Sequence, residues 1–252
     1  MRNIKLILQY DGTNYSGWQI QPNVTTVQGV LKKAVETLVN HEVKLYGASR
    51  TDAGVHALGQ VASFKTSKSH SLSVIKKGLN AILPDDIRVL NVEEADSSFH
   101  PRFDAKGKTY RYRFFLGEVV PPFERLYCYQ IRGKVDVEKM IEAAHYFVGE
   151  KDFSSFRDSM CTARNPVKKI KVSKFNLLNN GFLEYIITGD SFLHHMVRNI
   201  AGTLLWIGKG KILLESLPEI FEKRDRTLAG PTLDAKGLFL EKVFYQEYKE
   251  EK

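Results

Sequence analysis

The sequence predicts an α+β protein in which strands and helices alternate twice along the chain. Three observations support that class. Segments rich in β-branched and aromatic residues recur between segments whose apolar residues have helical spacing. Short connections join several neighbouring strands, which favours antiparallel pairing. The chain has 252 residues, of which 43% are hydrophobic, so it is long enough for one large domain or two smaller ones with a sizeable core.

The first round of elements occupies residues 1–104. A strand is expected at 4–10, followed by a loop rich in Gly, Asn and Asp. Apolar residues from Val27 to Leu38 recur on one helical face, and Thr25 with Gln28 matches a capping box in front of them. The other elements expected in this half are a strand at 43–46, a strand at 60–64, a helix at 73–83 and a strand at 88–92.

The second round occupies residues 105–252, after a boundary in the segment HPRFDAKG. The segment TYRYRFFL at 109–116 is strongly β-prone. Asp136 is expected to cap a helix that begins at Val137. The remaining elements expected here are a hairpin of 167–178 and 181–188 across Asn179 and Asn180, a helix at 190–208, a short helix at 215–223 and a closing strand at 237–245.

The charge of the chain favours a polyanionic partner. The formal net charge is +8 and the isoelectric point is about 9.3. Basic residues concentrate in two stretches, 102–113 and 157–174, and the first interleaves them with Phe103, Tyr110 and Tyr112. Cations that hold phosphates beside rings that stack on bases suit RNA better than a membrane. Taken alone, each stretch also matches a solvated strand face.

The cysteine content and the apolar runs exclude several other classes. The two cysteines have no CxxC spacing, which argues against a disulfide framework or a thiolate zinc site and favours a reducing cytosol. The amino-terminal segment reads as a first strand rather than a signal peptide. No apolar run approaches the length of a membrane span. A cytoplasmic protein without a membrane partner is therefore expected.

The segment RTDAGVH, residues 50–56, is the strongest candidate for chemistry. Arg50 and Asp52 lie two positions apart, so an extended backbone directs both to the same side. A carboxylate in a partly closed site needs a positive partner to stay charged. Asp52 and His56 share a face if Ala53 begins a helical turn.

The apolar helix expected at 190–208 carries one narrow stripe of polar and small residues. The stripe comprises Ser191, His195, Arg198 and Gly202, at helical spacing. One interpretation is an amphipathic helix with a thin solvent face. The other is a helix that lines a cleft, where Arg198 pairs with Asp52. The adjacent histidines 194 and 195 are expected to project in different directions, which argues against a metal site.

Five segments resemble one family, the tRNA pseudouridine synthases that act on the anticodon stem–loop. These segments are YDGTNYSGWQIQPN (10–23), GASRTDAGVHALGQVASF (47–64), FHPRFDAKGKTYRYRF (99–114), DFSSFR (152–157) and FLHHMVRNIAGTLLWIGKGK (192–211). Ser49 stands where many members have glycine. The resemblance implies the pseudouridine synthase fold: two halves with mixed, mainly antiparallel sheets, joined into one extended central sheet around a basic cleft. It also implies a homodimer that binds tRNA and needs no cofactor and no metal.

The resemblance further implies a role for each of five residues. Asp52 matches the aspartate that attacks the target nucleotide, and Arg198 matches the arginine that pairs with it. Tyr110 matches the active-site tyrosine, whose ring stacks on the extruded uracil. Arg50 matches a residue that displaces or holds the flipped nucleotide, and Leu238 matches a position that walls the base pocket. The reaction implied is isomerisation of uridine to pseudouridine at tRNA positions 38, 39 and 40.

Two readings from other classes remain open on sequence grounds. A non-catalytic RNA-binding protein would use the same basic stretches, although an acid at the binding face hinders pure binding. A metal-dependent phosphodiesterase would be built on Asp52 and His56. The role of His56 is itself open, between bracing its loop and transferring protons.

Overall fold

The structure is a computed structural model that describes residues 1–248, and these form two compact units. The first unit comprises Met1–Lys106 together with the chain from Phe239 onward, and the second comprises Gly107–Leu238. A single division after residue 104 assigns the last strand to the second half. The structure groups that strand with the first unit, because Phe239 and Leu240 pair with residues of a first-unit strand.

The described residues form ten strands and five α-helices, numbered here in chain order. In the first unit these are β1 (Arg2–Tyr10), α1 (Val27–Val39), β2 (Tyr46–Gly47), β3 (His56–Thr66), α2 (Leu72–Ile82), β4 (Ile87–Ala95) and, as the last strand of the described residues, β10 (Leu238–Phe244), which belongs to this unit from Phe239. In the second unit these are β5 (Gly107–Phe115), β6 (Tyr129–Gln130), α3 (Val137–His145), β7 (Gly149–Asp152), β8 (Val167–Leu177), β9 (Phe182–Gly189), α4 (Met196–Gly208) and α5 (Leu217–Lys223).

The first unit is built on a sheet in the order β4-β1-β3-β10, with β2 also paired to β3. Strand β1 is antiparallel to both β3 and β4, whereas β10 is parallel to β3. Alternate residues Ile4, Leu6 and Leu8 of β1 are fully buried, as the alternation of apolar residues predicts. Helix α2 packs against β4 and also contacts α1. One face of the sheet is thereby buried.

Helix α1 begins one residue later than the capping box predicted. Its cap is Thr26, whose hydroxyl accepts a hydrogen bond from the backbone N–H of Gly29 at 3.3 Å. The Gln28 side chain is used elsewhere: it accepts from the N–H of Ile20 at 3.0 Å and donates to the carbonyl of Leu45 at 2.9 Å. The predicted capping box was wrong because Gln28 ties two loops together instead of capping the helix.

The second unit is built on an antiparallel sheet in the order β5-β9-β8-β7, with the short strand β6 parallel to β5. The predicted hairpin is confirmed by β8 and β9, and Asn180 in its turn has a φ of 63°. The predicted cap of α3 is also confirmed, because the Asp136 carboxylate accepts from the N–H of Lys139 at 3.0 Å. The predicted α+β class with mainly antiparallel pairing is confirmed in both units.

Helix α4 is shorter than the apolar run that predicted it. It begins at Met196, and the preceding residue, His195, has a φ of 59°, in the left-handed region that a right-handed helix does not visit. Ser191 and His195 of the predicted stripe therefore lie outside the helix. Gly202 lies in the helix, but a Cβ there would stand 1.8 Å from the carbonyl oxygen of Pro231. At Gly202 the predicted stripe contacts the chain around Pro231, so it is not a continuous solvent face.

No helix within residues 1–248 combines the length and the apolar content needed to cross a membrane.

Substitution of Gly202→Ala is expected to lower the free energy of unfolding by about 2 kcal/mol or more, because the added methyl group meets backbone that cannot rotate away. The matched control is Gly29→Ala in α1, where the nearest atom to an added Cβ is the Thr26 hydroxyl at 3.1 Å. The control is expected to change stability by no more than about 1 kcal/mol. Urea denaturation of both variants measures the difference, and equal stabilities would contradict the packing seen at Gly202.

Candidate active site

The loop that carries the RTDAGVH motif connects β2 to β3 and is anchored by one buried glutamine. Gln60 lies in β3 and is fully buried. Its side chain accepts from the backbone N–H of Ser49 at 3.2 Å and donates to the backbone carbonyl of the same residue at 2.8 Å. The N–H of Ala48 also donates to the carbonyl of Val61 at 2.8 Å. The entry to the loop is therefore held to β3 by three hydrogen bonds.

The next three residues alternate in exposure, as an extended backbone requires. Arg50 is exposed, Thr51 is buried and Asp52 is half-buried. The Thr51 hydroxyl lies 2.8 Å from the phenolic oxygen of Tyr10, at the end of β1. Because Thr51 is drawn into the unit, its two neighbours are presented on the other side of the chain. This agrees with the predicted placement of Arg50 and Asp52 on one side.

A second loop, residues 11–18, is hydrogen-bonded to the backbone of the RTDAGVH motif. The N–H of Trp18 donates to the carbonyl of Thr51 at 3.0 Å, and the N–H of Gly54 donates to the carbonyl of Tyr15 at 3.3 Å. The two loops approach so closely that a Cβ on Gly12 would lie 2.0 Å from the carbonyl oxygen of Val55. A glycine is therefore required at position 12, because the two backbones approach each other too closely for a side chain.

His56 braces the two loops and does not project from them. Its ring is buried and stacks on Phe239, with ring centroids 4.7 Å apart. The Nδ1 atom accepts from the N–H of Gly12 at 3.1 Å, and it lies 3.0 Å from an oxygen of the Asp11 carboxylate. Accepting from Gly12 requires a bare Nδ1, whereas a bond to Asp11 requires a proton there. The contacts favour the bracing role over proton transfer.

The other acidic residues near this loop have separate structural partners. The Tyr15 hydroxyl donates to Asp86 at 2.6 Å. Burial, together with this hydrogen bond, raises the pKa of the Tyr15 hydroxyl well above its ordinary value. Asp11 accepts from the N–H and the hydroxyl of Thr13, and Asp85 contacts Arg88 at the surface. These acids hold turns together.

In the second unit, a segment around Leu233 clamps the side of α4 that carries Arg198. The Nε of Arg198 donates to the carbonyl of Leu233 at 2.7 Å, which uses one of the five guanidinium donors and fixes the direction of the group. Asn199 is fully buried: it donates to the carbonyl of Phe156 at 2.9 Å and accepts from Arg226 at 3.0 Å. Arg198 is therefore a positioned side chain, not a flexible surface arginine.

The predicted pocket residues Tyr110 and Leu238 are both buried. Tyr110 lies in β5, and its ring meets Phe192 edge to face with centroids 5.0 Å apart. The neighbouring Tyr112 donates to the carbonyl of Asp234 at 2.8 Å, and burial raises the pKa of its hydroxyl. Leu238 is the first residue of β10 and directly follows a glycine packed against Tyr112. Edge-to-face packing fixes the plane of the Tyr110 ring.

The expectation that His194 and His195 project in different directions was wrong. Their rings stack with centroids 3.9 Å apart, because the left-handed backbone of His195 turns its side chain back toward its neighbour. The Nδ1 of His195 lies 2.8 Å from the Asp158 carboxylate, and the Nδ1 of His194 lies 3.6 Å from it. The backbone N–H of Met160, with further help from both histidines, holds the pKa of Asp158 below its usual range. This cluster ties the segment after DFSSFR to the start of α4.

The two basic stretches divide into paired and exposed residues. Arg111 contacts Glu184 at 3.2 Å, and Arg113 contacts Glu124 at 2.9 Å. Tyr110 and Tyr112 alternate with these arginines along β5 and are buried on its other face, Tyr112 completely and Tyr110 largely. Both stretches also carry exposed residues, as an RNA-binding surface requires: Arg102, Phe103 and Lys106 in the first, and Arg164, Lys169 and Lys174 in the second.

The structure therefore places Arg50 and Asp52 in the first unit, and Tyr110, Arg198 and Leu238 in the second. The predicted pairing of Asp52 with Arg198 stays a prediction. Sequence reasoning missed the residues that hold these groups in place, chiefly Gln60, Thr51, Tyr10 and Asn199. One signal was available: a glutamine at a core position of an apolar strand indicates a specific hydrogen-bonding role, because an unpaired buried amide is costly.

Comparison with known proteins identifies the family. The model of the tRNA pseudouridine synthase family matches residues 6–104 and 143–246. The chain is 46% identical over 245 residues to tRNA pseudouridine synthase A of Clostridium kluyveri, which covers 97% of this chain and 100% of that protein. It is 45% identical over 249 residues to the protein of the same name from Citrifermentans bemidjiense, with 98% of this chain and 99% of that protein covered.

A third relative, tRNA pseudouridine synthase A of Geotalea uraniireducens, is 46% identical over 246 residues, with 97% of this chain and 100% of that protein covered. The chain belongs to the tRNA pseudouridine synthase family, whose members are isomerases. The resemblance inferred from the five sequence segments is confirmed.

Substitution of Gln60→Leu is expected to lower the free energy of unfolding by about 2 kcal/mol or more, because the backbone N–H and carbonyl of Ser49 both lose a buried partner. The matched control is Gln9→Leu, at an exposed position of β1. Urea denaturation measures stability, and hydrogen exchange of the Ser49 amide reports on the loop directly. Faster exchange in Gln60→Leu alone is expected; unchanged exchange would show that Gln60 does not hold the loop.

Proposed function

We propose that this protein isomerises uridine to pseudouridine at positions 38, 39 and 40 of the tRNA anticodon stem–loop, with Asp52 as the nucleophile. The observation that carries the proposal is the loop 49–54. It presents a half-buried aspartate beside an exposed arginine, and its backbone is bonded to Gln60, Trp18 and Tyr15. Such a rigid loop places a reacting carboxylate at a defined position.

The reaction is an isomerisation within one nucleotide. The bond between ribose C1′ and uracil N1 breaks, the base rotates, and a bond between C1′ and C5 forms. The hydrogen at C5 leaves as a proton, and N1 gains a proton, so the composition of the nucleotide does not change. Aspartate carboxylates are weak bases at neutral pH and are better suited to nucleophilic attack than to general-base catalysis. Asp52 therefore serves as the group that adds to the target nucleotide.

The other four residues take the roles that the family resemblance implies. Arg198, directed by its bond to Leu233, pairs with Asp52 and keeps it charged as water leaves the site. The Tyr110 ring stacks on the extruded uracil, and its hydroxyl takes part in removing the proton at C5. Arg50 displaces or holds the flipped nucleotide, and Leu238 walls the base pocket.

The cost of flipping the target base out of the RNA shows that stacking on one aromatic ring does not suffice to bind tRNA. Extruding a stacked base costs a few kcal/mol. One stack between an aromatic ring and a base returns about 1–3 kcal/mol. Tyr110 thus offsets much of the flip, and phosphate contacts must supply the affinity for tRNA. Exposed cations such as Arg102 serve that purpose and make binding sensitive to salt.

Assembly and location complete the proposal. The protein acts as a homodimer in the cytoplasm, where tRNA is processed. Its two cysteines are unpaired in the structure, which suits a reducing compartment.

Substitution of Asp52→Asn is expected to abolish release of tritium from tRNA transcripts that carry 5-tritiated uridine, because formation of the C1′–C5 bond expels the hydrogen at C5. Binding of tRNA is expected to remain within a few-fold of the wild-type value. The matched control is Asp85→Asn, at a fully exposed carboxylate on the same unit, which is expected to release tritium at the wild-type rate. Release by Asp52→Asn, or none by the wild type despite tight binding, would favour a non-catalytic RNA-binding protein.

Substitution of Tyr110→Phe is expected to keep tRNA affinity within a few-fold, because the stacking ring remains, while the rate of tritium release falls at saturating tRNA. Single-turnover kinetics separate the two effects. Because Tyr110→Phe retains the ring contact with Phe192, the variant is expected to stay folded, which a cooperative thermal transition checks. A wild-type rate would assign the role of Tyr110 to its ring alone.

A further inference from the structure

The first unit carries a row of three rings at its surface, which we call the aromatic stack: Tyr46, His100 and Phe103. The rings are tilted against one another: those of Tyr46 and His100 have centroids 4.8 Å apart and planes at 48°, and those of His100 and Phe103 have centroids 4.3 Å apart and planes at 32°. Tyr46 is 44% exposed and Phe103 is 75% exposed. Neither stabilises the unit through burial to the extent that a core ring does, so the row is placed where a partner can reach it.

A pocket of about 520 Å³ adjoins the aromatic stack. Buried Trp18 forms part of its wall, packed so closely on Gly47 that a Cβ there would lie 2.4 Å from the indole nitrogen. The volume lies within the range of small-molecule sites, about 300–1,000 Å³. The pocket therefore has a rigid aromatic wall and enough space for a nucleobase.

The charges around the pocket are of one sign. Its lining includes Arg50, Arg102, Lys32 and Lys44, and among the described residues that line it none is acidic. The guanidinium of Arg102 also lies 5.9 Å from the centre of the Phe103 ring. A low-dielectric wall beside several cations concentrates a positive potential that attracts phosphate.

The turn that presents the exposed ring is fixed before any partner binds. The Nδ1 of His100 accepts from the N–H of Arg102 at 3.1 Å, and the N–H of His100 donates to the Asp104 carboxylate at 2.9 Å. These bonds hold Arg102 and Phe103 in place relative to His100. A preformed surface loses less conformational entropy on binding than a flexible one.

We propose that the aromatic stack and its pocket bind a second unpaired nucleotide of the tRNA, a neighbour of the target uridine, with its base against Phe103 and its phosphates at Arg50 and Arg102. Arg50, which lines the pocket, lies two residues before Asp52 along a nearly extended chain, so the pocket adjoins the loop that carries the proposed nucleophile. The proposal rests on the proposed function for its ligand, tRNA. Rings next to uniform positive charge favour a single-stranded nucleic acid over a protein surface.

The first test is the affinity of Phe103→Ala for an unmodified tRNA transcript, measured by filter binding at fixed salt. Loss of one stack is expected to weaken binding about 5- to 100-fold. The matched control is Phe123→Ala in the second unit, where Phe123 is 88% exposed and lies outside the pocket lining. The control is expected to bind as the wild type does. Equal affinities of the two variants would overturn the proposal.

The second test uses Phe103→Trp, which retains a stacking ring and reports on it by fluorescence. Its tRNA affinity is expected to stay within about three-fold of wild type. Its additional fluorescence, relative to the wild-type protein with Trp18 and Trp206, is expected to be quenched by tRNA but not by inorganic polyphosphate, which carries no bases. Quenching by both or by neither would overturn the assignment of a base-stacking site.

The third test is light scattering, which measures the molecular mass of the variant and of the wild-type protein. A change in the molecular mass of Phe103→Ala relative to wild type would assign the aromatic stack to an interface between copies of this chain, and would overturn the proposal. The proposed function is tested separately, because tritium release by the wild type reports on catalysis. The tryptophan titration measures base stacking whether or not turnover occurs. A negative result for the stacking site can therefore be told apart from a negative result for the proposed function.

Discussion

The arrangement of the first unit's site depends on one side chain, Gln60, which bonds to both backbone polar groups of Ser49. A reacting carboxylate on a loop needs that loop to have a single conformation, and loop backbone at the surface has few hydrogen-bonding partners of its own. The amide of Gln60 supplies a donor and an acceptor from inside the sheet. Thr51 and Tyr10 then fix the next turn of the chain. The loop that carries Asp52 is thus held rigidly to β3 although it is not part of a strand.

In the second unit, Arg198 is likewise held in place by a hydrogen bond to backbone. Arg198 lies on a helix, and the orientation of its guanidinium is set by a backbone carbonyl from a separate segment. That segment is held in turn by Asn199, a fully buried side chain that bonds to Arg226 and Thr232. In both units a buried amide side chain organises backbone groups close to a charged residue. A fully satisfied buried polar group specifies one arrangement, since any alternative leaves it unpaired.

Much of the fold could be predicted because its elements are long and periodic, as for β1, α1, α2 and the β8–β9 hairpin. Strands β6 and β7 were not predicted from the sequence, because they have only two and four residues and the sequence GEKD of β7 has no alternation of apolar residues. The start of α4 was misplaced because apolar spacing continues through His195, where only the backbone angle breaks the helix. Asp52 and Arg198 could be proposed as site residues from local sequence. Their supporting residues were not, because Gln60 acts on backbone 11 positions away, a relation that composition does not encode.

The pairing of β10 with β3 has a consequence for the order in which the protein forms during synthesis. Strand β3 needs residues 239 and 240 to complete its edge beside His56 and Ala57, and those residues leave the ribosome only after the whole second unit has been translated. Until then the nascent first unit exposes the edge of a central strand, which is a site for mistaken pairing with other chains. The second unit, in contrast, is continuous in sequence. Emergence of β10, rather than of the amino-terminal half, is therefore the event that completes this edge of β3, next to the loop that carries Asp52.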